Sequence, residues 1–301
     1  MKEVNYISVH SNESLQNIAG EIGGDNNSTV LLYIQGRLLY RLSISNYREK
    51  FLLKGDHFLY ALRKSNQKVT KKIEFLATYL SNDRQSIKEA FGKICSGAYE
   101  ADGVEFDANG IIAEQCNQGI YIEIPATYKG EKEIVQLIIS FGDFVVPKPQ
   151  KLHYPVLSDR QDVQAPVIWA YSTETIVAEK VEEILSSSIL TDNLEPFYDM
   201  HVLLETQDFD GRVLLEAVFE TFQRRGTIIE KEQPLFTQAF IEDEERVDEW
   251  RNSRSDSGHE ENLEFPQVMQ HIGNFLAPIY QAILEEKEYF KTWNSKTQTW
   301  I

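Results

Sequence analysis

FLLKGDHFLYALRKSNQKVTKKIEFL, Phe51 to Leu76, is the stretch whose reading decides the fold. An apolar run, Phe51 to Leu53, predicts a short strand. Lys54-Gly55-Asp56 predicts a turn, and Phe58, Leu59 and Leu62 share one face of a following helix. A second strand begins near Lys71. Side chains on a strand alternate between faces, so Lys72 and Glu74 point one way and Ile73 and Phe75 the other. A glycine turn, a helix and two ionic side chains on one strand face outline a phosphate site with its reactive edge. A lysine at 72 is the unusual member of that set.

Working outward, Leu15, Ile18, Ala19 and Ile22 recur at helical spacing before Gly23-Gly24. A second helix follows Asn26 to Thr29, with Leu31, Ile34, Leu38, Leu39 and Leu42 as its apolar stripe. Asn82 or Asp83 caps a third, carrying Ile87, Phe91 and Ile94. The period then changes to two. Val104 to Phe106, Ile111 to Glu114, Ile120 to Ile124 and Ile134 to Phe141 read as strands, with turns at Asn117-Gln118-Gly119 and Lys129-Gly130. The proline-rich residues 143 to 166 read as an ordered crossing. Beyond Thr173 the pattern is almost wholly helical: Ile176 to Leu185, Pro196 to Leu204, Val213 to Phe222 up to Gly226, and Val268 to Ile283 with Pro278 inside. Arg251 to Asn262 reads as a loop. The expected class is α/β (α+β), a mixed sheet flanked by helices followed by a mostly helical half. The expected domains are 1–165 and 166–301.

The 301 residues carry a formal charge of −17, which argues against a broad nucleic-acid footprint. The charge is uneven. From Arg48 to Lys72, eight basic residues stand against two acidic ones, a net of +6; from Glu242 to Glu264, three stand against ten, a net of −7. One region can attract an anion while another repels it or meets a basic partner; two solvated surfaces of opposite sign are the plainer reading. No apolar run reaches the roughly 20 residues of a membrane span. The opening MKEVNYISVHSNES has no basic-then-apolar pattern, so no membrane partner is expected and the expected location is cytoplasmic. Cys95 and Cys116 are expected to be two buried thiols in a reducing compartment, with a disulfide between them as the alternative. No His/Cys cluster has zinc spacing, and there is no Gly-x-Ser-x-Gly elbow.

LLYRLSISNYREKFLLKG (38–55), VTKKIEF (69–75), DGVEFD (102–107), IISFGD (138–143), YSTETIVAEKVEEIL (171–185), FYDM (197–200) and AVFETFQRRGT (217–227) together resemble the AbiEii-type nucleotidyltransferase family. The resemblance covers nearly the whole chain. It implies a DNA polymerase beta-like nucleotidyltransferase sheet joined to a helical half, and a toxin of a toxin–antitoxin or phage-defence pair. It also implies transfer of a nucleotide from an NTP, in some members onto tRNA. The chemistry it implies is two-metal catalysis, in which three carboxylates hold Mg²⁺ beside a small-residue turn that cradles the triphosphate.

Mapped onto that pattern, the framework persists and the chemistry does not. Lys54 and Gly55 match the turn, but Asp56 takes its second small position. The Asp-x-Asp pair falls on Lys72 and Glu74, and the third carboxylate on Ile138. Of these, Glu74 alone can ligate a metal, because an ammonium has no lone pair to offer. Lys72 can put its own charge where a metal would sit, pair with Glu74, or lie solvated. In the helical half Glu179, Lys180 and Asp199 match, Glu195 and Pro196 replace a Lys-Asp pair, and an expected arginine is missing from 184–188. Lys180 can reach a phosphate or make local ion pairs. Asp143 can serve as a relocated acid or a turn cap, and His57 is expected on a helix surface. Two readings go forward. One is a degenerate member acting through nucleotide or partner binding, with an antitoxin as the candidate partner and no cofactor. The other is a divergent active transferase that uses Glu74 with acids placed elsewhere, such as Asp56 or Asp143, together with Mg²⁺ and a tRNA or other acceptor.

Overall fold

The structure, a computed structural model, describes residues 26–62, 71–97, 102–155, 157, 163–187, 193–257 and 263–301; the side chains of 26, 27, 187 and 254–257 are outside the description. The helix expected at Leu15 to Ile22 and the lysines and arginine at 63–68 lie outside the described residues. The chain folds as two compact units, Met1–Gly142 with Pro149–Ala170, and Asp143–Lys148 with Tyr171–Ile301.

In the first unit the elements run α1 (Asn26–Ile44), β1 (Phe51–Lys54), α2 (Gly55–Leu62), β2 (Lys72–Ala77), α3 (Arg84–Cys95), β3 (Val104–Phe106), β4 (Ile112–Cys116), β5 (Gly119–Tyr128), β6 (Glu131–Phe141), β7 (Gln150–His153) and β8 (Val167–Ala170). They build a mixed sheet of order β3-β5-β6-β2-β1-β8-β7, with β4 also paired to β5. β2 runs parallel to β6 and β1 parallel to β8; the other pairings are antiparallel. The expected hairpins stand: β4 and β5 pair through Cys116 and Gly119, and β5 and β6 through Tyr128 and Glu131. Gly119 has to be glycine, since at φ +130° an added Cβ would lie 2.1 Å from the Ile139 carbonyl oxygen. One sheet face is closed. Phe51 and Phe75 meet Phe91 of α3, and Ile73, Leu137, Ile139, Ile120 and Ile122 are excluded from solvent. Asp83, not Asn82, caps α3, its carboxylate accepting from the Ser86 amide.

The reading of 143–166 as a crossing needs correction, because Gln150–His153 and Val167–Ala170 form a four-residue hairpin ladder. Short strands flanked by prolines leave too little alternation to detect. Arg251 to Ser257 is also corrected: these residues continue a helix rather than a loop, and the remainder of that segment lies outside the described residues.

The second unit holds α4 (Thr173–Ser187), α5 (Glu195–Thr206), β9 (Phe209–Asp210), α6 (Gly211–Arg225), α7 (Gln238–Ile241), α8 (Glu244–Ser257), α9 (Phe265–Leu284), β10 (Thr292–Asn294) and β11 (Thr299–Trp300). Its helices follow the apolar periods, with Gly226 at φ +71° closing α6. The small sheet β11-β10-β9 buries Trp293, whose indole donates to the Leu204 carbonyl at 2.9 Å.

Between α5 and α9 two buried imidazoles face each other, His201 Nδ1 and His271 Nδ1 being 3.0 Å apart. Glu205 lies 3.4 Å from His201 Nε2, which fixes the proton there. His201 Nδ1 therefore accepts, and His271 Nδ1 donates. Burial, then the neighbouring His201, lower the His271 pKa to about 4. An unfolded histidine takes up its proton near pH 6.5, so the unfolded state binds more protons between the two values. Stability is expected to be fully present above pH 6.5 and to fall as pH drops toward 4. Urea midpoints at pH 7.5 and pH 5 measure this. His271→Leu should flatten the difference, and an unchanged slope in that variant would refute the assignment.

Candidate functional site

The register of the first unit brings the key positions into two rows on the open sheet face. Lys54 lies opposite Glu74, Glu74 beside Ile138, and Ile138 opposite Tyr121. The second row is Lys72, Gln136 and Glu123. Lys72 is exposed, Glu74 and Ile138 are half-buried, and Lys54 is only 7% exposed. The expected alternation of Lys72 and Glu74 against Ile73 and Phe75 is the one observed.

The chain enters α2 directly at Gly55, with no separate turn. Gly55 adopts φ +64°, and an added Cβ there would lie 2.9 Å from both Cδ and Oε1 of Glu74. The Glu74 carboxyl therefore lies against the first residue of α2, and Asp56 occupies the first helical turn. A helix N-terminus favours negative charge, and here two of the chain's own carboxylates crowd it. Tyr121 donates to Glu123 at 2.7 Å; burial, then Glu123, push its phenol up to about 12.

A pair of Mg²⁺ ions does not fit this donor set. Lys72, Glu74 and Ile138, the positions onto which the resemblance maps three carboxylates, supply one ammonium, one carboxylate and one aliphatic chain, a formal sum of zero where divalent cations need several anionic oxygens. Among the described residues no group of three or more His, Cys, Asp or Glu side chains is placed to hold a metal. The two rows together hold two lysines, the carboxylates Glu74 and Glu123, and a phenol with a high proton affinity, beside a glycine that opens a helix.

His57 corrects the surface expectation. It is fully buried, with Nδ1 2.7 Å from the Tyr154 hydroxyl. Its partner is 97 residues away, so helical periodicity alone could not show the contact.

In the second unit, Lys180 Nζ lies 3.1 Å from Asp199 and 3.3 Å from Glu183, and Asp199 is 2% exposed. The two matched residues are thus held to each other by a local ion pair. Glu195 opens α5 on the surface and Pro196 is buried in its first turn. Asp143 accepts from the Tyr171 hydroxyl at 3.0 Å. Arg225, from the end of α6, reaches Glu179 at 2.7 Å and Glu182 at 2.5 Å, while Thr227 donates to Glu182 at 2.5 Å. A guanidinium therefore does sit beside the Lys180 helix, supplied by another helix. Sequence reading misses Arg225 because its guanidinium reaches α4 from a different helix, α6. It also passed over Tyr121, Gln136 and Glu123, although the alternation Ile120-Tyr121-Ile122-Glu123-Ile124 carried the signal.

The family described as "Nucleotidyl transferase AbiEii toxin, Type IV TA system" matches residues 37–272. A search of curated proteins finds no significant match. Among solved structures, MenT4, a nucleotidyltransferase toxin from Mycobacterium tuberculosis H37Rv, is similar at 15% identity and TM-score 0.54, covering 76% of this chain and 77% of that one. JHP933 from Helicobacter pylori aligns at 12% identity and TM-score 0.47, over 86% of this chain and 93% of that one. At these identities the likeness to MenT4 bears on the fold alone. No helix among the described residues is long and apolar enough to cross a membrane.

Proposed function

The chain belongs to the AbiEii nucleotidyltransferase toxin family, and on that premise we propose that this member works in the cytoplasm as a metal-independent nucleotide binder that does not run two-metal nucleotidyl transfer. The observation that carries the reading is the register Glu74–Ile138 with Lys72 in the adjoining row. Where the family chemistry wants three carboxylates, Lys72, Glu74 and Ile138 present a mixed and formally neutral set.

Lys54 and Lys72 supply the positive charge that a phosphate chain needs, and they remove the need for a bridging cation. In this reading the Glu74 carboxylate against Gly55 yields to a phosphate rather than ligating a metal. Lys180 and Asp199 stabilise the second unit through their ion pair, whose buried acid would be costly to leave alone. An antitoxin partner belongs to the family's system, and tRNA is a candidate acceptor only if transfer survives.

Calorimetric titration with ATP tests this. The affinity is expected to be equal with excess EDTA and with Mg²⁺, and Lys72→Ala should weaken it by about tenfold, the loss of one charge-assisted contact. Binding that requires Mg²⁺ and disappears in Glu74→Ala would favour the active divergent transferase instead.

A further inference from the structure

The first unit contains a second polar centre that the two rows do not use. Arg37 and Arg41 stand one turn apart on α1, 2% and 4% exposed, and both reach Asp102, which is 3% exposed. Asp102 Oδ2 accepts from Arg37 Nε at 3.1 Å, and Oδ1 accepts from Arg41 Nη2 at 3.4 Å and from the Val104 amide at 2.9 Å. Arg41 Nη2 also donates to the Val104 carbonyl at 2.6 Å, and Arg37 Nη1 to the Gln164 carbonyl at 2.8 Å.

The charged or ionisable groups that act on Arg41 are Asp102, Cys95 and Arg37. Burial pushes the Cys95 thiol up to about 12, so it stays neutral. Two buried cations thus share one carboxylate, and one positive charge lacks a counter-charge among the described residues. Arg41 Nε, buried, has no acceptor there either. Buried charges in folded proteins are ordinarily paired.

A cavity of about 10 Å³ opens on Arg37, walled by Tyr33, Tyr60, Tyr154, Leu32 and Leu157. That is room for a single oxygen-sized group. At Gly36 the wall is bare; an added Cβ would find nothing closer than Tyr154 at 3.9 Å. Of the phenols, Tyr33 already donates to the Asp102 carbonyl at 2.8 Å, and Tyr154 meets His57. The Tyr60 hydroxyl, on a residue 7% exposed, has no hydrogen-bond partner among the described residues.

We propose that this cavity is a subsite for one oxygen of a small oxyanion, inorganic phosphate or the terminal phosphate of a nucleotide, which accepts a hydrogen bond from the Tyr60 hydroxyl and answers the surplus charge of the arginine pair. The subsite stands independently of the metal-free nucleotide row, so either can fail without the other.

Isothermal titration of the full chain with inorganic phosphate tests it, with AMP as a second ligand and sodium chloride at matched ionic strength as control. The variants are Tyr60→Phe, which removes the hydroxyl and keeps the ring, and Lys72→Ala, which disables the row. Saturable phosphate binding is expected in the parent chain and in Lys72→Ala, about tenfold weaker in Tyr60→Phe, with the phosphate-free melting temperature of Tyr60→Phe equal to or above the parent's. AMP binding that shares the Tyr60 dependence would assign the oxygen to a nucleotide; phosphate alone showing it would assign a free ion. The proposal is overturned by absent saturation, by Tyr60→Phe leaving the affinity unchanged, by loss of binding in Lys72→Ala, or by chloride competing equally.

Discussion

Lys72→Asp combined with Ile138→Asp is expected to create a metal site in this chain. The two changes take the charge of the three family positions from zero to −3 by placing a carboxylate on each side of Glu74, one on the same strand and one on the paired strand. Clustered carboxylates are what Mg²⁺ and Mn²⁺ select. Affinity for Mn²⁺ should rise by at least about tenfold over the parent chain, as read by calorimetry. Both positions have access to solvent, so the acids can ionise without a buried cavity or an unpaired buried charge. Without metal the three acids repel one another, and the variant should melt below the parent and recover when Mn²⁺ is added. If metal affinity stays at the parent level, the mapping of these three positions is wrong.

Asp102→Asn is expected to be the most destabilising single polar change in the first unit. It leaves two buried guanidinium groups with no anion among the described residues, and breaking a buried pair of this kind costs about 3–5 kcal/mol. Asparagine has the same shape and can still accept from the Val104 amide, so the loss reports charge more than packing. The fall should appear as a lower denaturant midpoint with an unchanged slope. If the cavity beside Arg37 takes phosphate, the added anion should restore part of the loss. A cost below about 1 kcal/mol, the range of an exposed pair, would contradict the burial argument.

Much of the sheet unit was legible because its signals are local. The apolar stripe of α1, the Asp-capped α3 and the two hairpins each declare themselves within a dozen residues, and the spaced family blocks order them. The alternation of Lys72 and Glu74 was readable for the same reason. That Ile138 lies directly beside Glu74 was implied by the resemblance, but parallel pairing joins strands 64 residues apart and leaves no local trace. The same limit explains Arg225, which reaches α4 from the end of α6, and His57, which is buried by Tyr154. The four-residue strands β7 and β8 are too short to show a period. The arginine pair on α1 was read past because Arg37 and Arg41 interrupt an apolar stripe, where long basic side chains usually lead out to solvent. Only the distant Asp102 marks them as core.

The most direct measurement of the central claim is incubation of the protein with each labelled nucleoside triphosphate, Mg²⁺ and total tRNA, beside a Glu74→Ala control. The account predicts no label on tRNA or protein above that control. Label transferred by the parent chain and abolished by Glu74→Ala would contradict it.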